Sequence, residues 1–158
     1  MKIKFVTDRE IDVLGNSFKN MNLSGYDLHR VIFEELDISN SAFIKSDLRG
    51  AFLYKAIMIN CDFSNSSLIQ ADIREAILTN SNLQNSRAIS TLFDNANLIN
   101  VNMEGTDING ASFLNAKLQG ANMKCIDIET AKFGGAIFDN FTLWPETFKP
   151  EMYGCINI

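Results

Sequence analysis

The chain contains one histidine, His29, and three cysteines, Cys61, Cys125 and Cys155. A Cys–His pair could do nucleophilic chemistry, given a base in reach and a group to orient it. The three thiols are scattered, however, and none has an activating neighbour visible in sequence. The same scarcity leaves little material for a metal site. Paired carboxylates such as Glu34 and Glu35 have no evident pocket around them. No glycine-rich phosphate loop is present, because Gly25, Gly50, Gly105, Gly110, Gly120 and Gly135 fall in step with the repeat described below. The expectation is a protein that is not an enzyme, with no catalytic residue, no cofactor and no metal.

With 158 residues, the chain is the size of one domain. Fourteen Lys and Arg against nineteen Asp and Glu give a net charge of −5. Such a balance argues against direct nucleic-acid binding, which rests on Lys and Arg. No run approaches the ~18 apolar residues of a membrane span. The first ten residues hold too short an apolar stretch for a secretory signal. An odd cysteine count argues against a disulfide framework and fits a reducing compartment. A cytoplasmic location is expected.

The elements that would position any site follow a period of five. From Phe18 through Leu23, Leu28 and Phe33 to Phe133 and Phe138, every fifth residue is large and apolar except Ala88. We call this position the centre. Two residues earlier the chain prefers small side chains, as at Ala51, Ala56, Ala71, Ala76, Ser41, Ser46, Ser66 and Cys61. The residue just before the centre is often Asp or Asn. A helix would spread a five-residue period around all its faces, and a strand would alternate it between two. A short strand and a corner in every unit resolves the conflict, with the centre and the small residue pointing inward. Asn20, Asn40, Asn60, Asn80 and Asn100 mark one corner every twenty residues. Four units therefore make one coil of a four-sided tube. Asn and Gly suit corners that need positive φ.

The motif, seen in Ala71-Asp72-Ile73-Arg74-Glu75, Ala96-Asn97-Leu98-Ile99-Asn100 and Ala121-Asn122-Met123-Lys124-Cys125, resembles the pentapeptide-repeat family. The resemblance covers residues 16–140 and implies an all-β fold, a right-handed quadrilateral β-helix of about six coils, roughly 30 Å long. It also implies stacked columns, one of them Phe33, Leu53, Ile73, Phe93, Phe113 and Phe133. Departures cluster in the first coil, where Asn16, Met21, Tyr26 and Leu36 replace the small residue. Residues 1–15 read as an N-terminal cap. Thr7-Asp8-Arg9-Glu10 has the form of a capping box and predicts a short helix over 8–14 that lays Ile11 and Leu14 across the first coil. Residues 141–158 read as a C-terminal cap or a dimerisation tail. The Thr-x-Trp-Pro run at 142–145 is similar to tails of cyanobacterial members. Trp144 and Phe148 are its candidate packing residues.

Two outward features are candidates for function. An apolar patch comprises Phe52, Tyr54, Ile57, Ile59 and Ile77, and contiguous exposed apolar surface often marks a contact. It predicts a protein partner for a rigid rod. The alternative is an acidic file, Asp27, Asp47, Asp107 and Asp127, interrupted by Ser67 and Arg87. Gyrase-inhibiting members of the family are thought to mimic DNA with an acidic rod, so the resemblance admits a topoisomerase partner. A third reading is a structural rod without a specific partner. A monomer and an end-to-end homodimer are both compatible with the tail.

Overall fold

The computed structural model describes residues 1–158. Its body is a ladder of parallel pairings between residues one coil apart. Ile32 pairs with Phe52, Phe52 with Asp72, Asp72 with Leu92 and Leu92 with Ser112. Three further ladders run through Asp37–Ile57–Ile77–Asn97, Ala42–Asp62–Asn82–Asn102 and Asp47–Ser67–Arg87–Asp107. Each ladder is one wall, and the residue before each centre sits on it facing outward.

The physical basis is repeated in every unit. The centre donates its N–H to the next coil, as Phe33 does to the Phe52 carbonyl at 2.8 Å. Its own carbonyl accepts from the residue three later, as Leu48 does from Ala51 at 3.0 Å. That closes a four-residue turn whose third residue has positive φ, the feature of a type II turn. Asn40, Asn60, Asn80 and Asn100 adopt φ of 58°, 56°, 60° and 57° there. The asparagine corner is also a hydrogen-bonded ladder in part: Asn60 Nδ2 donates to Asn40 Oδ1 at 3.1 Å, and Asn100 Nδ2 to Asn80 Oδ1 at 3.2 Å. At Gly120 glycine supplies room as well as φ. A Cβ there would collide with Asn100 Oδ1.

Inside the tube, centres stack on centres. Phe93, Phe113 and Phe133 lie with ring centroids 4.7 and 5.1 Å apart and nearly parallel, and Phe43 lies 4.8 Å from Phe63. The coil pitch, close to the ~4.8 Å of a β ladder, imposes this face-to-face arrangement. Several small inward hydroxyls share one task, though Ser66 and Ser86 Oγ have no partner. Ser46, Ser81, Thr91 and Thr106 donate to the carbonyls of Leu23, Met58, Leu68 and Leu83 at 2.6–2.7 Å. Cys61 Sγ occupies the same slot, 3.2 Å from the Ile38 carbonyl. Burial pushes its thiol up to about 11.

The N-terminal segment differs from the helix expected over 8–14. Strand β1 (Lys2–Phe5) and strand β2 (Glu10–Asp12) form an antiparallel hairpin. Strand β1 also pairs antiparallel with β3 (Val31–Ile32), on the first coil. Thr7 and Asp8 turn the chain, with Asp8 at φ 59°. The alternation in Lys2-Ile3-Lys4-Phe5 prevails over the capping box because it buries Ile3 and Phe5 in the core. Ile11 packs against the core, whereas Leu14 is fully exposed. In the first coil Tyr26 turns outward, and Met21 and Leu36 are only partly buried.

A second difference lies near residue 125. Asp107 pairs with Ile126 rather than Asp127. The corner after Met123 has one residue fewer, so Cys125 enters the small inward slot, with Sγ 3.4 Å from the Met103 carbonyl. Burial raises its thiol pKa well above the ordinary range. Asp127 becomes an extra residue at φ 57°, heading the 3-10 turn Ile128–Thr130. Ile128 then recovers its place as a buried centre.

Beyond Phe138 the regular period ends. Strand β4 (Ile137–Phe138) pairs in parallel with β5 (Ile156–Asn157), while Leu143 pairs with Asn122. Trp144 and Phe148 pack edge-on against Phe133 at 5.8 and 5.7 Å, and Tyr153 lies 4.5 Å from Phe148. Phe148 and Cys155 are buried, and burial pushes the Cys155 thiol up to about 12.

Candidate interaction surface

The apolar patch occupies two adjoining walls. Phe52 lies between Ile32 and Asp72 on one ladder, and Ile57 pairs with Ile77 on the next. Tyr54 and Ile59 occupy turn positions of the same units. All five side chains are half-buried, so the patch is a low surface without protruding rings. Tyr54 is the most engaged. Lys55 Nζ and the Arg74 guanidinium lie 5.0 and 5.8 Å from its ring centroid, and its hydroxyl donates to Glu75 Oε1 at 3.0 Å.

The acidic file has a local structural cause. Asp27, Asp47 and Asp107 each accept the N–H of the residue two later through Oδ1, at 3.1 Å. Asn82, Asn97 and Asn102 do the same at the equivalent position. This Asx turn orders the corner, and an uncharged amide serves as well as a carboxylate. Much of the negative charge is matched by neighbours. Arg49 forms a two-pronged pair with Asp47, with Nη2 2.6 Å from Oδ2, and holds that carboxyl below its usual range. Arg9 lies 3.5 Å from Asp27. Asp127 has left the file, and Ile126, 53 % exposed, stands in its place beside Asp107.

A basic groove, not assembled from the sequence, lies at the corner beside Phe52. It is lined by His29, Arg30, Arg49, Gly50, Phe52, Ile69 and Gln70. Register arithmetic could have found it: Arg30, Gly50 and Gln70 share one corner, and His29, Arg49 and Ile69 precede them.

Apart from Leu14, the most exposed large apolar side chains lie elsewhere than the patch. Phe141 and Met152 are 78 % and 80 % exposed, and Ile156 and Ile158 are also open to solvent. All belong to the tail.

These coils agree with the comparisons to known proteins. Eight copies of the family described as pentapeptide repeats match, at residues 46–85, 56–95 and 89–124. The chain belongs to the pentapeptide-repeat family. Its fold is accordingly the right-handed quadrilateral β-helix. A trypsin-treated variant of QnrB1, a plasmid-mediated fluoroquinolone resistance protein, superposes with a TM-score of 0.54 at 20 % identity, over 90 % of this chain and 92 % of that one. HetL of the cyanobacterium Nostoc sp. strain PCC 7120, involved in heterocyst differentiation regulation, gives 0.41 at 21 % identity over 78 % and 76 %. Rfr23 of the cyanobacterium Cyanothece 51142 gives 0.43 at 22 % over 82 % and 88 %. No curated protein matches the sequence.

Proposed function

We propose that this pentapeptide-repeat protein is a non-enzymatic interaction module that presents a rigid rod to a protein partner in the cytoplasm. The observation that carries the reading is the run of apolar side chains paired coil to coil on adjoining walls, Ile32 with Phe52 and Ile57 with Ile77. Outward positions in such coils face water, and nothing in the fold requires them to be apolar. Tyr54 and Ile59 flank the run, and the contact face is Phe52, Tyr54, Ile57, Ile59 and Ile77.

The hairpin of residues 1–15 and the tail of 141–158 act as caps for the β-helix of residues 16–140, some six coils long. Covered edges oppose the end-to-end pairing that open β edges invite. The exposed Phe141, Met152, Ile156 and Ile158 favour a homodimer through the tail over a monomer. Light scattering of Ile156→Asp/Ile158→Asp beside the unmodified protein tests this, with a halved mass expected for the variant.

The test of the contact face is capture from native cytosol with Ile57→Asp/Ile77→Asp alongside the unmodified protein. The expected result is loss of a specific partner while the circular dichroism spectrum keeps its β shape. Equal capture by both proteins removes the face from consideration.

A second reading, inhibition or protection of a type II topoisomerase, draws support from the likeness to QnrB1. It requires Asp27, Asp47 and Asp107, with Asp127 displaced one residue from their file, to imitate a duplex. Gyrase supercoiling assays with Asp107→Asn/Asp127→Asn decide it. Inhibition that weakens in the variant supports that reading, and no inhibition at micromolar protein excludes its inhibitor form.

A further inference from the structure

The groove beside Phe52 has a charge pattern that the patch lacks. Nearby carboxylates are each matched: Asp47 by Arg49, Asp27 by Arg9 and Asp72 by Arg74. Arg30 has no carboxylate within ion-pair distance. Its aliphatic stem passes over Gly50, 3.5 Å from where a Cβ would stand. Both Arg30 and His29 are exposed. In a chain of net charge −5, the groove therefore holds a cation without a counter-ion. Phe52 and Ile69, both half-buried, give it an apolar edge, and Gln70 adds a carboxamide.

We infer that this groove receives a short acidic segment of the partner protein, with carboxylates at Arg30, His29 and the free edge of Arg49 and an apolar side chain against Phe52 and Ile69. The inference rests on the interaction reading above and supplies the chemistry of the partner. Phe52 belongs to both surfaces, so one segment engages the groove and continues onto the apolar walls. The groove spans three coils, about 10 Å at a ~4.8 Å pitch, which some four extended residues at ~3.3 Å each would cross. A long polyanion such as single-stranded RNA fits less well, because Asp27, Asp47 and Asp72 surround the groove. A short segment carrying two or three carboxylates meets the cations without extending into that ring.

The probe is a fluorescein-labelled peptide of about six residues with alternating Glu and Leu, read by anisotropy. Comparison probes are a Lys–Leu peptide and a single-stranded oligonucleotide of similar length. Arg30→Glu is the diagnostic variant. Residue 30 has φ 58°, and Glu35 and Glu75 already adopt φ 59° and 60° at equivalent corners, so glutamate is compatible with the turn. Arg87→Glu, another arginine without an ion-pair partner, controls for overall charge. The expected result is saturable binding of the Glu–Leu peptide, weakened at least about tenfold by Arg30→Glu and unchanged by Arg87→Glu. Binding should also weaken as added salt shortens the screening length. Equal affinity for Arg30→Glu and the unmodified protein overturns the inference, as does no binding or tighter binding of the oligonucleotide. The contact face is judged separately, by capture with Ile57→Asp/Ile77→Asp, so either can fail while the other stands.

Discussion

The middle of the rod and its two ends solve the same problem by different means. In residues 31–123 every coil covers the edge of its neighbour, and inward columns of apolar centres and small residues repeat without a break. At the ends no further coil exists. At the N-terminal end an antiparallel hairpin buries Ile3 and Phe5. At the C-terminal end Trp144 and Phe148 pack against Phe133, and Tyr153 against Phe148. In the body, stability comes from the interior, which leaves outward side chains free of packing duty. Functional signals there are departures from the outward polar pattern. At the ends, apolar residues have two possible duties, covering the core and meeting another molecule.

This contrast can be broken most directly at the aromatic stack. Phe113→Ala, between Phe93 and Phe133, should cost about 3–5 kcal/mol, whereas Leu14→Ala, fully exposed near the N-terminal end, should stay within about 0.5 kcal/mol. Calorimetric melts of the two would conflict with the contrast if their midpoints fell equally. Thr106→Val tests the inward hydroxyls. It removes the 2.6 Å hydroxyl donor while the Leu83 carbonyl keeps the Ser86 N–H at 3.0 Å, and should cost about 0.5–1.5 kcal/mol, measured by urea unfolding. Gly120→Ala should destabilise by roughly 1–2 kcal/mol, from the strain of positive φ and the collision with Asn100. Gly25→Ala in the first coil meets nothing within 4 Å and should cost less in the same urea titration.

The smallest effect concerns charge. Asp47 and Asp72 have carboxyls held below the ordinary 3.8, mainly by side-chain hydrogen bonds from Arg49 and Arg74. A lowered folded-state value stabilises fully above 3.8 and is lost as pH falls through the folded value. Both pairs are surface pairs, each worth at most about 1 kcal/mol. Asp72→Asn should therefore lower the melting temperature slightly at pH 7 and narrow the gap to the unmodified protein below pH 3.8.

The centres, inward columns and corners were legible because each leaves a residue type at a fixed interval. Asn60 over Asn40 and Phe113 over Phe93 follow from counting by twenty. The helix expected over 8–14 was wrong because Thr7-Asp8-Arg9-Glu10 suits a tight turn as well as a capping box, and burial of Ile3 and Phe5 decided between them. The slip at Cys125 left no trace in the period, since the residue lost at the corner returns at Asp127. It nevertheless moved a thiol into the core and a carboxylate off its file. The apolar residues of the candidate face could be listed from sequence. The engagement of Tyr54 with Lys55, Arg74 and Glu75 could not, because it depends on how long side chains lie across coils.

The most direct measurement is quantitative partner capture by the unmodified protein, Ile57→Asp/Ile77→Asp and Asp107→Asn/Asp127→Asn, with melting temperatures taken on the same samples. Loss of the partner in the isoleucine variant alone, with little change in melting, is the predicted result. A partner retained by that variant and lost from the aspartate variant would contradict it and place the contact on the acidic file.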